Sequence, residues 1–296
     1  MVLARQDFVT GSSGVRLAVR VAGPDSGESD GPPILFLHGW AQSAAAWTRQ
    51  LTGPLADRFR LVAADLRGHG DSDVPADGYD SAAEWAEDVR ALLAYAGRPA
   101  VVVGWSYGGL VVTDYLRVHG TAGLAGIVLV GAITEIGRGH PGGRSGPTMR
   151  AALPDALSPD PAVAEPAIRA FTTGMSSAVA AHAVAIESIR PKPAVRALVD
   201  ATLRVPAEVR AALFRRDVES AEVLAAVDVP TLVMHGTADA VVQPSAAEFA
   251  AATIPGAELR WFDRVGHLPF LEQAGEFDQV LLGFLDQLPL PERTDT

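Results

Sequence analysis

Short apolar runs recur through the first half of the chain and return near its end. Continuous runs of this length are typical of strands that are covered on both faces of a parallel sheet. Continuous runs occupy residues 33–37, 61–64, 101–103 and 127–130, an alternating run occupies 15–21, and the strand pattern returns at 230–234 and 258–262. We expect each of these seven segments to form a β-strand.

Segments with helical periodicity lie between the strands. The predicted helices cover residues 44–55, 81–96, 107–119 and, near the end of the chain, 277–288. Ser81 is the expected N-cap of the second helix, because Glu84 completes a capping-box pattern three positions later. The alternation of strands and helices predicts an α/β fold, with a mostly parallel sheet flanked by helices on both faces.

This alternation stops after residue 133. Residues 134–221 are rich in alanine and arginine and contain nine prolines, which predicts several short helices with irregular connections. We therefore predict a core made of residues 1–133 and 222–296. A helical cap over residues 134–221 would be inserted after the sixth strand of that core.

The composition narrows the class of protein. The chain has 296 residues, of which 48% are hydrophobic, so it can bury a large core. Its net charge of −11 would repel a nucleic-acid backbone, so we expect no nucleic-acid partner. The lack of cysteine excludes disulfides, thiolate nucleophiles and zinc–thiolate sites. No segment resembles a signal peptide or reaches the roughly 18 apolar residues of a membrane span, so we expect a cytoplasmic protein without a membrane partner.

One serine stands between glycines at the end of a predicted strand. Residues 104–109 read Gly-Trp-Ser-Tyr-Gly-Gly and directly follow the apolar run at 101–103. A strand that turns sharply into a helix at this G-x-S-x-G pattern would hold Ser106 at the tip of a strained turn, with its hydroxyl exposed. Small residues at Gly104 and Gly108 would let the turn close without a steric clash. Ser106 is therefore a candidate nucleophile.

A serine hydroxyl needs a base, and the base needs an acid that orients it. Two loops offer them: Asp239 follows the strand at 230–234, and His267 follows the strand at 258–262. Because sites in α/β sheets lie at the carboxyl ends of the strands, both loops can reach Ser106. We expect His267 to be the base and Asp239 to be the acid.

Two other carboxylates compete with Asp239 for the role of the acid. Glu135 follows the sixth strand, whose end can also reach the histidine, and Asp263 is close to His267 in the sequence. Asp239 itself would also suit the simpler role of a helix cap.

The charge that develops on a substrate oxygen needs hydrogen-bond donors. The backbone amide of Tyr107 is one candidate, because amides at a helix N-terminus are unpaired. The backbone amide of Trp40 is the other, since Gly39 lets this bend approach the substrate. We expect His38 to be structural, with its side chain supporting the same loop by a hydrogen bond.

Together these segments resemble α/β-hydrolase-fold proteins of the esterase, haloperoxidase and epoxide-hydrolase group. The similar motifs are the oxyanion loop at 37–40, the D-x-R-G-x-G-x-S segment at 65–72, the elbow at 104–109, the acid loop at 236–239 and the base loop at 266–267. The resemblance implies an α/β-hydrolase fold and a triad in the order Ser106, Asp239, His267. Dehalogenases and epoxide hydrolases of this group carry aspartate at the nucleophile position, so Ser106 argues against both activities.

One loop has the composition of a metal site, since His69 lies near Asp65, Asp71 and Asp73. Every part of it also fits the tight loop that the family has after its fourth strand. We therefore expect no metal and no cofactor.

The predicted cap differs in charge from the rest of the chain. Residues 134–221 contain eleven Arg and Lys against nine Asp and Glu, whereas the remainder is acidic. A basic cap, with Arg138, Arg144 and Arg150, would favour an anionic substrate or an acyl carrier protein, although an uneven scatter of surface charge explains the same numbers. The elbow and oxyanion-loop motifs are also similar to those of esterases that cleave the methyl ester of a pimeloyl carrier protein, a second possibility within the esterase class.

These observations predict a cofactor-free serine hydrolase that cleaves a small carboxylic ester or lactone through an acyl-enzyme. The same triad would serve a perhydrolase of the haloperoxidase type or a hydrolase of carbon–carbon bonds. A ligand-binding protein with little turnover is a third hypothesis, which an intact triad disfavours. The side chains expected to line the pocket are Trp40, Tyr107, Phe171, Met175 and Ile186.

Overall fold

Eight strands of the described chain form one sheet. The computed structural model describes residues 4–25, 29–97, 99–176 and 193–289. The strands are β1 (Arg5–Thr10), β2 (Arg16–Ala22), β3 (Ile34–Leu37), β4 (Leu61–Ala64), β5 (Ala100–Trp105), β6 (Leu124–Val130), β7 (Thr231–Gly236) and β8 (Glu258–Phe262). Their order across the sheet is β1-β2-β4-β3-β5-β6-β7-β8. Strand β2 is antiparallel to both of its neighbours and every pair from β4 to β8 is parallel, so the predicted α/β fold is confirmed.

All seven predicted strands are present, and β4 and β8 have the predicted bounds. Strand β1 was not predicted. This strand lies at the edge of the sheet, and of its six residues only Val9 is buried, while Phe8 is exposed. It therefore lacks the apolar run by which the other strands were recognised.

Two groups of helices flank the sheet. The helices are α1 (Thr48–Leu51), α2 (Leu55–Arg58), α3 (Ala82–Ala96), α4 (Tyr107–His119), α5 (Pro147–Ala156), α6 (Pro161–Gly174), α7 (Pro193–Arg204), α8 (Ala207–Ala212), α9 (Ala221–Ala225), α10 (Pro244–Thr253), α11 (Pro269–Glu272) and α12 (Ala274–Leu285). Helices α3 and α4 pack against each other and the strands, while α1, α11 and α12 contact one another.

The helix predictions were right for α3 and α4 and partly wrong elsewhere. Helix α4 has the predicted bounds, and the hydroxyl of Ser81 caps α3 by accepting from the amide of Glu84 at 3.3 Å. The single helix predicted over 44–55 is instead a 3-10 turn, the short α1 and the short α2. The helical conformation is interrupted before α2, where Pro54 has no N–H to continue a helix. The last helix begins and ends three residues earlier than predicted.

The chain leaves the sheet between β6 and β7 and returns beside the point where it left. Val130 at the end of β6 pairs with Met234 in β7, although about a hundred residues separate the two strands. We call residues 134–221 the helical insertion; its described part holds α5 to α8 and the start of α9. No helix in the described ranges has both the length and the apolar character needed to cross a membrane.

Candidate active site

The turn from β5 into α4 is strained at Ser106. The residue has φ 55° and ψ −118°, which side-chain-bearing residues rarely adopt. A Cβ atom added at Gly104 would lie 2.8 Å from the carbonyl oxygen of Gly108, and one added at Gly108 would lie 2.6 Å from that of Leu37. Gly104 must therefore be small for the turn to close, as predicted, whereas Gly108 must be small for α4 to pack against the end of β3.

The register of the sheet brings the loop after β3 against this serine. Leu37 at the end of β3 pairs with Gly104, two residues before Ser106. A Cβ atom added at Gly39 would lie 2.9 Å from the Cβ of Ser106. Any side chain at position 39 would therefore press on the serine.

Two backbone amides beside Ser106 have no protein acceptor within the described chain. They belong to Trp40, in the loop after β3, and to Tyr107, the first residue of α4. Both residues are buried, at 3% and 2% exposure. An unpaired buried amide is costly, so these two N–H groups are available to an acceptor on a bound molecule.

Asp239 and His267 are in direct contact. The Nδ1–H of His267 donates to Oδ2 of Asp239 at 2.7 Å, and both side chains are buried. The other oxygen, Oδ1, accepts from the amides of Val241 and Val242 at 2.8 and 2.9 Å. The carboxylate is thus fixed from both sides, and it holds the histidine with Nε2 as the remaining ring nitrogen.

A second histidine, His235, lies beside the same carboxylate. Its Nε2 is 3.3 Å from Oδ2 of Asp239 and 3.1 Å from the carbonyl oxygen of Val242. Burial raises the pKa of Asp239, but the charge of His267 and the hydrogen bonds from both histidines outweigh this, so the pKa lies well below its ordinary value. Asp239 is therefore ionised at neutral pH. No role was predicted for His235, although it lies only four residues before Asp239.

Two hydrogen bonds of the His267 backbone hold its loop against other segments of the chain. The carbonyl oxygen of His267 accepts from the indole N–H of Trp105, the residue before Ser106, at 3.0 Å. The amide of His267 donates to the carbonyl oxygen of Met175, in the helical insertion, at 2.7 Å. At the end of β6, a Cβ atom added at Gly131 would lie 3.2 Å from Nδ1 of His267 and 3.4 Å from Oδ2 of Asp239.

The two competing carboxylates are not beside His267. Glu135 is buried, and its oxygens accept from the amides of Gly142 and Ser220 at 2.8 and 3.0 Å, so it joins the two ends of the helical insertion. Asp263 is exposed and contacts Arg264. The end of β6 does reach the histidine at Gly131, but the Glu135 carboxylate is occupied by backbone amides of the insertion instead.

The buried histidines of the neighbouring loops have local partners. Nδ1–H of His38 donates to the carbonyl oxygen of Gly39 at 2.8 Å, and Nε2 accepts from the amide of Leu66 at 3.0 Å, so the ring supports the loop as expected. Burial lowers the pKa of His38 to about 4 and that of His69 to about 3. Asp65 accepts from the backbone amides of Asp71 in its own loop and of Ala44 after β3, so it joins these two segments.

The predicted pocket residues fall into three groups. Trp40 and Phe171 make an edge-to-face contact, with ring centroids 5.4 Å apart, and Phe214 contacts Trp40 from another side at 5.5 Å. Met175 is buried and reaches His267 through its backbone, whereas Tyr107 is buried against Trp85. Ile186 lies outside the described residues. Phe214 was missed, because only the folded chain brings it to Trp40.

Comparison with known proteins identifies the family of the chain. Residues 34–280 match the alpha/beta hydrolase family. The chain belongs to this family. This hydrolase is similar over nearly its whole length to an esterase from Rhodococcus sp. ECU1013, with 42% identity and a TM-score of 0.87, covering 96% of this chain and 99% of that structure.

Two curated relatives of this hydrolase carry different names. A pimeloyl-[acyl-carrier protein] methyl ester esterase from Vibrio atlanticus is 29% identical over 257 residues, which cover 86% of this chain and 94% of the relative. A non-heme haloperoxidase from Rhodococcus erythropolis is 27% identical over 309 residues, which cover 94% of this chain and 99% of the relative.

Proposed function

We propose that the protein is a serine hydrolase that cleaves a small carboxylic ester or lactone through an acyl-enzyme. The observation that carries this proposal is the fixed Asp239–His267 pair at the sheet edge that also holds the strained Ser106. The 42% identical esterase supports the same class of substrate.

The reaction takes two steps at one serine. Nε2 of His267 accepts the proton of the Ser106 hydroxyl as its oxygen attacks the substrate carbonyl. The amides of Trp40 and Tyr107 donate to the oxyanion of the tetrahedral intermediate. The alcohol leaves with the proton from His267, and the acyl group stays on Ser106. A water molecule, deprotonated by His267, then attacks the acyl carbon and releases the acid.

Asp239 supports both steps without contacting the substrate. Its hydrogen bond to Nδ1–H of His267 keeps the lone pair on Nε2, the nitrogen that must accept the serine proton. Its negative charge stabilises the imidazolium that forms in each step.

The helical insertion acts in this proposal as a cap domain that shapes the substrate pocket. Phe171 and Phe214 come from the insertion and contact Trp40, whose amide is a proposed oxyanion donor. Apolar rings at this place favour an acyl or alcohol group of limited size. The cap would comprise residues 134–221, between two parts of the hydrolase core.

A fluorophosphonate probe tests the assignment, because only an activated hydroxyl reacts with it quickly. Peptide mass spectrometry should find the adduct on Ser106, and S106A should lose both the adduct and the turnover of p-nitrophenyl esters and lactones. Heat-denatured protein is the control for non-specific labelling. An adduct on another serine, or active enzyme without an adduct, would contradict the proposal, and adduct formation without any turnover would favour a ligand-binding protein.

Perhydrolysis is a second candidate reaction, which the similarity to the Rhodococcus erythropolis haloperoxidase favours. Hydrogen peroxide would take the place of water and attack the acyl group on Ser106, giving a peracid. Peracid formation from acetate and peroxide, measured beside ester hydrolysis on the same preparation, separates the two activities.

An ester on an acyl carrier protein is a second candidate substrate. The similarity to the pimeloyl-[acyl-carrier protein] methyl ester esterase of Vibrio atlanticus favours it, and the insertion exposes Arg138, Arg144 and Arg150. Replacement of all three by glutamine should raise KM for a carrier-bound methyl ester and leave KM for p-nitrophenyl acetate unchanged. Equal effects on both substrates would exclude carrier recognition by these arginines.

A further inference from the structure

Both residues that carry the proposed oxyanion donors are bonded to one short stretch of the helical insertion. We call residues 210–216 the clamp segment; it includes the end of α8 and the turn that follows. The indole N–H of Trp40 donates to the carbonyl oxygen of Arg210 at 3.1 Å, and the hydroxyl of Tyr107 donates to that of Leu213 at 3.3 Å. The clamp segment therefore holds both side chains from one side.

Arg216 fastens the clamp segment to helix α4. Its guanidinium donates to the two oxygens of Asp114 at 2.8 and 2.6 Å, and both side chains are almost fully buried. Asp114 lies seven residues after Tyr107, so it is two turns further along the same face of α4. Arg216 makes a third hydrogen bond, in which its Nη1–H donates to the hydroxyl oxygen of Tyr107 at 3.3 Å.

Stability alone does not account for the buried ion pair of Arg216 and Asp114. A buried ion pair contributes little net free energy of folding relative to apolar residues of the same size, because both charges lose their hydration. Its bidentate geometry does, however, fix direction. Arg216 holds α4 at two points, Asp114 and the Tyr107 hydroxyl, and so limits rotation of the first turn of the helix.

We propose that Arg216 is a positioning residue for the oxyanion hole: it holds Tyr107 so that the amide N–H next to Ser106 points at the substrate oxyanion. This inference rests on the proposed hydrolase function. Small displacements of a donor matter, because the donor must meet the oxygen where charge develops in the transition state and not where it lies in the bound substrate. Loss of the contact should therefore lower kcat and leave KM nearly unchanged.

The cleanest variant is Y107F, which removes the hydroxyl and leaves the Arg216–Asp114 pair intact. The matched control is Y115F, since Tyr115 lies on the same helix and its buried hydroxyl donates to the carbonyl oxygen of Ala122 instead. We expect kcat for p-nitrophenyl acetate to fall roughly 10-fold in Y107F, which is less than the loss of a whole oxyanion donor. KM should stay within about twofold, and Y115F should match the parent enzyme.

A second pair of variants tests the arginine itself. R216M leaves the Asp114 charge buried and alone, and is expected to unfold more easily, so D114N/R216M is made beside it to remove both charges. The double variant should also lose about 10-fold in kcat. R216K, which keeps a charge but not the forked geometry, should lie between the double variant and the parent.

The readout that a merely structural role would not move is the affinity for a trifluoromethyl ketone, which forms an oxyanion on Ser106. Its inhibition constant should rise by the same factor as kcat falls, whereas the affinity for the acid product should not change. Parent-like kcat and inhibition in a folded Y107F, or a loss confined to KM, would overturn the inference. If the parent enzyme itself is not labelled on Ser106 by a fluorophosphonate, the proposed function fails instead.

Discussion

Asp239 has an environment that suits one chemical task at the residue scale. Four N–H groups surround its carboxylate, two from backbone amides and two from imidazoles. Only one of them, Nδ1–H of His267, belongs to a group that the proposed reaction protonates. The other three therefore act to keep the carboxylate charged and aimed at that histidine.

This environment predicts the effect of removing the charge. In D239N the amide can present its N–H to His267 and stabilise the wrong tautomer, so kcat should fall by about 10⁴. KM should barely change, because the acid does not contact the substrate. The measurement is kcat for a p-nitrophenyl ester, with folding checked by circular dichroism.

E135Q and D263N are the controls for this prediction. Among the described residues, Glu135 accepts from Gly142 and Ser220 and not from His267, so a folded E135Q should keep the parent kcat while losing stability. D263N should resemble the parent in both respects. Collapse of kcat in either control, with D239N active, would transfer the role of the acid to that residue.

The buried histidines His38 and His69 should make the protein sensitive to mild acid. Their pKa values of about 4 and about 3 lie below the ordinary 6.5, so between these limits the unfolded chain binds protons that the folded chain does not. Their contribution to stability is complete above pH 6.5 and is lost as the pH falls towards 4. At pH 5 each histidine should lower the free energy of unfolding by about 2 kcal/mol relative to its value at pH 7.5.

Urea unfolding at pH 7.5 and 5.0 measures this loss. H69N keeps a donor for the carbonyl oxygen of Arg67 but cannot titrate, so it should lower the difference between the two pH values by about half. An unchanged difference in H69N would show that other groups cause the acid sensitivity.

At the scale of elements, the strands and the elbow were the most predictable features. Continuous apolar runs mark β3 to β7, because these strands are buried on both faces. The same logic fails for β1, which is exposed at the sheet edge, and for the helix expected over 44–55, where helical periodicity continues past a proline break. Apolar patterns therefore predict buried strands well. They predict where a helix ends only when residues that interrupt a helix, such as Pro54, are taken into account.

Another contact between elements was beyond the reach of sequence patterns. The amides of Gly146 and Thr148, at the start of α5, donate to the carbonyl oxygens of Val241 and Ala240 at 2.6 and 2.9 Å. These carbonyls belong to the turn at residues 239–242, which holds Asp239 and which we call the acid turn. The residues are almost a hundred positions apart, and nothing in either segment announces its partner.

Gly146 allows this contact, and replacing it should disturb the acid turn. A Cβ atom there would lie 2.3 Å from the carbonyl oxygen of Ala240, so in G146A one backbone must move. We expect a loss of about 2 kcal/mol in the free energy of unfolding, together with a lower kcat. Urea unfolding and ester turnover provide the two measurements.

The control for G146A is G283A, in helix α12. Gly283 has open space around its Cβ position, so alanine there should keep the parent kcat and add up to about 1 kcal/mol of stability. A G146A variant that behaves like G283A would contradict the tight docking of α5 on the acid turn.

At the scale of the whole molecule, the helical insertion contacts every loop of the candidate site. It contacts the loop after β3 at Trp40 and helix α4 at Tyr107. It also contacts the acid turn at Val241 and the loop that holds His267. The sequence predicted a helical insertion over residues 134–221 from its prolines and lost alternation, and these bounds stay a prediction. It could not predict these anchors, since each joins residues distant in the chain.

The insertion should set the size of the acyl group that the enzyme accepts. F171L replaces the ring that packs on Trp40 with a smaller aliphatic side chain, so the ratio of kcat/KM for p-nitrophenyl hexanoate over acetate should rise several-fold, with acetate turnover retained. I168V is the control, because Ile168 is buried on the same helix and is one turn away. If F171L changes only Tm, as I168V should, the insertion does not select substrates at this position.

The same anchors limit how this protein can diverge from its relatives. A segment that were attached only by its two ends could be exchanged between homologues as a module, and the recipient would keep its chemistry while acquiring a new specificity. Here an exchanged insertion must supply Arg216 and backbone acceptors for the Trp40 indole and the His267 amide. Without them the chimeric enzyme would fold but would have a low kcat. New substrate ranges are therefore reached more easily by point changes on the inner surface of the insertion than by recombination at its ends.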